Sequence, residues 1–234
     1  MPFYRLTLDR PVGLVPTGWY GDDLMAVQTA SDTRTRLLDA ALHTIRARGY
    51  AATTVDDLCA TAAVSKGSFF HHFKSKDALA LAAVDHFSTM AVGLFSSASY
   101  HQATDPLERL LGYVDFRASI LSGELPEYTC LLGTLVQETY DTHPDIRDAC
   151  DRSMSAHISE LTRDVALAKQ RYRPTARWTA DSVGYFMQSV LQGSFIFAKA
   201  TQDATVARDN LAHLRRYLEM LFAKPRNVKR KEKT

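Results

Sequence analysis

The sequence predicts an all-α fold, and three observations predict it. Thirty alanines stand against nineteen Gly plus Pro in 234 residues, a balance that favours helix over turn-rich β structure. Apolar residues recur at helical spacing from about residue 31 to residue 223, between capping residues and prolines. Nowhere does a strand-like alternation or an internal repeat interrupt that pattern. A hydrophobic fraction of 46% and a charged fraction of 23% are those of a chain with a real core, which excludes a disordered one.

The elements follow in order, about nine helices in all. Residues 1–30 hold three of the eight prolines and three glycines without a helical period, so they read as a flexible extension. Met25 opens MAVQTASDTRTR and reads as an alternative start. Ser31 or Asp32 is placed to cap a first helix with Leu37, Leu38, Ala41, Leu42 and Ile45 on one face. Gly49 ends it after Arg46 and Arg48. Thr54-Val55-Asp56-Asp57 reads as a capping box for a helix to Ala62, Ser65 caps a short third helix, and Ser75 caps a long fourth. Prolines 106, 126, 144 and 174 then separate helical stretches at about 107–123, 127–141, 145–172 and 176–201. A last helix runs from about 203 to 223. The tail, 224–234, is expected to be disordered.

Charge narrows the function. The net charge of +2 divides into +2 over 31–77, +5 over 224–234, −1 over 1–30 and −4 over 78–223. The stretch 65–76 carries Lys66, Lys74, Lys76, His71 and His72 with no acid. Three short helices with a tight turn before the third make a helix-turn-helix, whose third helix enters a major groove. Ser65, Ser68 and the free N–H groups of that helix suit phosphate oxygens. Lys66 and Lys74 supply cations, and Gly67 removes a side chain where the helix nears the DNA backbone. Phe69 and Phe73 are spaced to anchor the helix to its own core, leaving Lys66, Ser68, His71 and His72 more exposed. One histidine is expected to face DNA while the other packs or caps; adjacent residues make a poor metal pair. Arg34, Thr54, Phe69 and Lys76 complete the candidate DNA-facing set. The basic tail fits nonspecific DNA attraction and simple solubility equally.

The stretch TTVDDLCATAAVSKGSFFHHFKSKDAL resembles the DNA-binding signature of the TetR family of bacterial repressors. The preceding TRTRLLDAALHTIRARGY matches that family's first helix, including Gly49-Tyr50, so the likeness runs without gaps over residues 33–82. It implies helix two at 54–62, a turn at Ala63-Val64 and a recognition helix at 65–71. Two residues depart from the family pattern. Ala63 stands where glycine is usual, which implies a negative φ or modest strain. Phe70 stands where tyrosine is usual, so a hydroxyl often used on a phosphate is missing.

The resemblance divides the chain into a helix-turn-helix domain at 31–77 and an effector-binding and dimerisation domain at 78–223. It implies a ligand-responsive repressor that binds double-stranded palindromic operator DNA as a homodimer through the last two helices, about 176–201 and 203–223. The apolar stripes Val183, Met187, Val190, Leu191, Ser194, Ala198 and Leu211, Leu214, Leu218, Leu221 are the expected seam. A small-molecule effector of unknown identity is expected among Phe87, Met90, Phe116, Ile120, Cys130, Leu135, Tyr140, Phe186 and Phe197. CLLGTLVQE at 130–138 is similar to a stretch in relatives that sense reactive electrophiles and small unsaturated acids. Cys130 therefore reads either as a small buried apolar residue or as a sensing thiol.

Other classes lack support. There is no HExxH, GxSxG, glycine-rich phosphate loop or His/Cys cluster, so neither an enzyme nor a metal or cofactor is expected. Three widely spaced cysteines argue against a disulfide framework and a zinc site. With no apparent secretory signal or membrane span, a cytoplasmic, nucleoid-associated protein is expected.

Overall fold

The structure, a computed structural model, describes residues 25–223. The expected extension over 1–24 and the tail over 224–234 lie outside these residues. The described residues form ten α-helices and one 3-10 turn at Ser99–Gln102. In chain order the helices are α1 Met25–Arg48, α2 Val55–Ala62, α3 Lys66–His72, α4 Lys76–Ser96 and α5 Pro106–Ser119. They continue with α6 Leu125–Tyr128, α7 Leu131–Thr139, α8 Pro144–Tyr172, α9 Ala180–Thr201 and α10 Thr205–Phe222. Among the described residues there is no strand.

Most boundaries carry the expected chemistry. Gly49 takes φ +89° and its N–H returns to Ile45 O at 2.8 Å, which ends α1. Ser75 caps α4, Asp105 caps α5 ahead of Pro106, and Thr179 caps α9. Several boundaries differ from the sequence reading, among them the end of α5 at Ser119 rather than 123. Helix α1 begins at Met25, so Ser31 and Asp32 lie inside it: no Gly or Pro interrupts residues 25–48. Thr179 delays the start of α9 to Ala180. The single helix expected at 127–141 is two, because Thr129 and Cys130 are extended. The cause is long-range: Arg46 donates from Nη1 to the carbonyls of Glu127 at 3.2 Å and Thr129 at 3.3 Å.

Two buried clusters form the interior. The first joins α1, α2, α3 and the start of α4 to α7 and the start of α8, with Leu37, Ile45, Leu58, Phe69, Leu131, Leu135 and Ile146 at its centre. The second joins α5, the later part of α8, α9 and α10 around Val114, Val165, Met187, Leu191, Leu211 and Leu218. Partly buried Cys130 packs against both. Helix α4 has the length and mean hydropathy, 1.5, to cross a membrane. Its Leu79, Ala80, Ala83 and Val84 are packed into the first cluster instead.

The second cluster encloses a polar chain. Gln188 donates from Nε2 to the Tyr113 hydroxyl at 2.9 Å, and that hydroxyl lies 2.9 Å from His157 Nε2. With Gln188 donating, the Tyr113 proton is free to go to His157, which must then be neutral to accept it. Burial first, and the charge of Arg117 second, hold His157 down at about 4, against 6.5 for a free imidazole. Between those values the unfolded chain binds the extra proton and the folded one does not, so stability rises with pH. The imidazole's contribution is complete above pH 6.5 and lost as pH falls toward 4. Denaturant unfolding should show about 2 kcal/mol less stability at pH 5 than at pH 7. His157→Phe should flatten that interval; an unchanged slope would assign the pH dependence to other groups.

Candidate nucleic-acid interface

The DNA-facing unit is built by two N-caps and one strained turn. The Asp57 N–H donates to Thr54 Oγ1 at 3.1 Å and the Thr54 N–H donates back to Asp57 Oδ2 at 3.0 Å, the expected capping box. Arg48 ties the end of α1 to the same carboxylate at 3.1 Å. Ala63 ends α2 at φ 52°, ψ 48°, a left-handed conformation; the negative-φ alternative does not occur, and the turn carries the strain. Val64 N–H reaches back to Cys59 O at 3.0 Å, and Ser65 then caps α3 by accepting from the Ser68 N–H at 3.1 Å.

Helix α3 is anchored by its buried face. Phe69 is 0% exposed and Phe73 is buried with it, so Phe69 is a core residue and not a DNA contact. Lys66, Gly67, Phe70 and His71 face outward, with Ser68 and His72 half-buried at the flanks. The imidazoles of His71 and His72 meet edge to face at 5.0 Å. Exposed Ser65, Thr54 and Lys74 border the helix, and the Arg34 guanidinium lies 5.3 Å from the Phe73 ring centre. A Cβ on Gly67 would meet only Ser65 Oγ, at 3.8 Å, so nothing inside the chain requires glycine there. An outside surface that comes close would require it.

Lys66, at the start of α3, and Lys76, beyond its end, differ. Lys66 pairs with Asp56 at 2.9 Å, and this bond raises its pKa; both groups are exposed, so the pair is weak and exchangeable for a phosphate. Lys76 is turned inward: its Nζ donates to Tyr50 O and Thr53 O, both at 3.0 Å, and lies 4.1 Å from the Tyr50 ring centre. It clasps the α1–α2 loop and does not offer a phosphate contact.

This arrangement leaves exposed Lys66 and the cleared Gly67 on the outer face of α3, with exposed Lys74 just beyond its end. Residues 37–83 match the family described as bacterial regulatory proteins, tetR family, and residues 106–214 match the tetracyclin repressor-like C-terminal domain. The chain belongs to the TetR family. It is a DNA-binding transcriptional regulator. The HTH-type transcriptional repressor NemR of Escherichia coli K12 is 25% identical over 201 residues, covering 82% of this chain and 96% of NemR. The transcriptional regulator AcuR of Cereibacter sphaeroides is 30% identical over 120 residues, 51% of this chain and 55% of AcuR. Among solved structures, a TetR-family regulator from Agrobacterium tumefaciens superposes with a TM-score of 0.73 at 20% identity, covering 83% of this chain and all of that one.

Away from the helix-turn-helix, this TetR-family chain has a cleft of about 350 Å³ between the end of α1, α7 and α9. Arg46, Arg48, Cys130, Thr134, Glu138, Phe195 and Lys199 are among its walls. Cys130 is the N-cap of α7, its sulfur 3.5 Å from the Gly133 N. Burial disfavours the charge of both Arg46 and Lys199, and Cys130 lies in electrostatic range of each. Lys199 donates to Thr134 Oγ1 at 2.9 Å.

Of the nine expected effector-lining residues, only Cys130 borders this cleft. Leu135 is wholly buried in the first cluster. Phe87 lies beneath Arg46, Phe116 stacks on Phe95 and Tyr100, and Ile120 ends α5. Met90 and Tyr140 are exposed, as are Phe186 and Phe197 on the outward face of α9. An apolar residue at helical spacing marks burial without saying which cluster it joins. Of the polar walls, Glu138 closes the stretch CLLGTLVQE, whereas Arg46 and Lys199 had no motif to mark them as cleft residues.

Most of the residues expected at the dimer seam lie inside the monomer. Val183, Met187, Leu191, Ser194, Ala198, Leu211, Leu214 and Leu218 are buried within the monomer. The outward faces of the same two helices carry Tyr185, Phe186, Ile196 and Phe197 on α9, and Tyr217 and Met220 on α10.

Proposed function

We propose that the protein is a repressor that holds a palindromic operator as a homodimer and releases it when a small molecule occupies the cleft beside Cys130. The exposed face of α3, cleared at Gly67 by nothing inside the chain, carries the reading. Residues 31–77 act as the DNA-binding unit and 78–223 as the effector and dimer unit. Such a regulator works on the nucleoid, in the cytoplasm. Two copies meet through the outward faces of α9 and α10, where Gly193 leaves open space for a partner helix. Half-site centres then lie about 34–36 Å apart.

The Glu138 carboxylate at the far end of α7 accepts from the Ala51 N–H at 2.8 Å and lies against Gly49. Helix α7 thus runs from the cleft to the loop that precedes α2, which supports a coupling of effector to DNA.

Footprinting of the pure protein over its own upstream DNA tests the operator; no protected site would reject the reading. The lysines separate contact from clasp. Lys66→Ala should bind all sequences more weakly and lower the salt slope by about 1 per site, with unchanged thermal stability. Lys76→Ala should keep the salt slope and lose about 1–3 kcal/mol of stability, since it strips two carbonyls of a charged donor. The opposite pattern would reverse the two roles.

A further inference from the structure

Phe70 is an aromatic ring left 51% exposed on a helix that the proposed function puts in the major groove. The neighbouring ring explains its posture. Phe69 is wholly buried, and Phe70 meets it edge to face at 5.2 Å, so the exposed ring stands on a fixed base. Gly67, one turn earlier on the same face, offers no side chain to cover it, and His71 beside it is exposed as well.

A phenyl ring has no donor or acceptor. It cannot hydrogen-bond a phosphate or a base edge, and it gains only by covering something apolar. Among the base-pair edges of the major groove, the C5-methyl of thymine is the apolar group. The remaining apolar surface within reach is deoxyribose, which carries no sequence information.

We propose that Phe70 reads a thymine methyl in each operator half-site. The assignment rests on the operator reading above and adds a base identity to it. It also gives a role to a residue lacking the hydroxyl that a phosphate contact would need.

The test uses the full-length protein and a duplex enriched by it from a random library. Each thymine is replaced singly by deoxyuridine, which removes the methyl and nothing else. One position per half-site should lower wild-type affinity about fourfold, and the symmetric pair about fifteenfold, the equivalent of losing one buried methyl in each half. Phe70→Ala, whose exposed position predicts normal folding by circular dichroism, should bind thymine and uracil duplexes alike. Phe70→Tyr, which keeps the ring, should retain the discrimination. If uracil is neutral everywhere for the wild type, or penalises Phe70→Ala equally, the thymine assignment falls while the operator reading stands. If no duplex is enriched, both fall.

Discussion

Phe197→Glu is expected to yield a folded monomer that no longer holds an operator, whereas Leu218→Glu is expected not to fold. Both residues sit on the two helices first singled out for the dimer, and burial separates them. Leu218 is 0% exposed in the second cluster, where an unpaired carboxylate costs several kcal/mol. That is a large part of the 5–15 kcal/mol that holds an ordinary domain together. Phe197 is 58% exposed, so the same charge costs the monomer little. It would cost the dimer much, because Phe197 follows Gly193 along the outward stripe of α9. Phe186 on that stripe stacks against Tyr217 of α10 at 4.8 Å, which joins the two helices into one apolar surface. Losing the second half-site removes the avidity of paired binding, a factor of about 10²–10⁴. Sedimentation, circular dichroism and anisotropy on an operator duplex would read all three effects. A Phe197→Glu dimer that binds normally would move the interface elsewhere.

The same helices show how far the sequence could be read. Periodicity found α9 and α10, and it marked Leu211, Leu214 and Leu218 as lying on one face. It could not tell whether that face meets the monomer's own α5 and α8 or another copy, since both are apolar surroundings. The helix-turn-helix was legible for a different reason. Its caps, turn and recognition helix interact within about twenty residues, so local spacing carries nearly all of its geometry. Where a distant partner intervened, local signals failed. Arg46 breaks the stretch 125–139 from more than eighty residues away. Lys76 looked like a phosphate ligand beside α3 until the carbonyls of Tyr50 and Thr53 claimed it. Glu138 closes the stretch CLLGTLVQE, but nothing local says that its carboxylate lies against Gly49; that follows only from where α7 ends.

That line from cleft to loop sets the last expectation: alkylation of Cys130 should release the operator. N-ethylmaleimide is the probe. The Cys130 sulfur adds to one alkene carbon and a proton from water completes the other, so no oxidant is needed. Selectivity follows from the surroundings of the three thiols. Cys59 and Cys150 are buried; burial raises both pKa values, that of Cys150 to about 12, which leaves little thiolate to react. Cys130 is half-exposed at the start of α7 and opens onto the cleft that Arg46 and Lys199 also line. The adduct occupies space between α1 and α7, and any shift of α7 is carried to Glu138 and the Ala51 N–H it holds. The DNA-bound conformation is thereby disfavoured, by about 1–3 kcal/mol for ordinary coupling, or about 5- to 150-fold in affinity. Mass spectrometry should find one adduct, on Cys130, and anisotropy should find operator binding lost in the wild type but kept in Cys130→Ser. Glu138→Ala should take the adduct and keep more of its DNA affinity, because the end of α7 no longer grips the loop. Equal release of wild type and Cys130→Ser would exclude this thiol as the sensor. A singly labelled wild type that still binds DNA would do the same, leaving a noncovalent ligand to work the cleft.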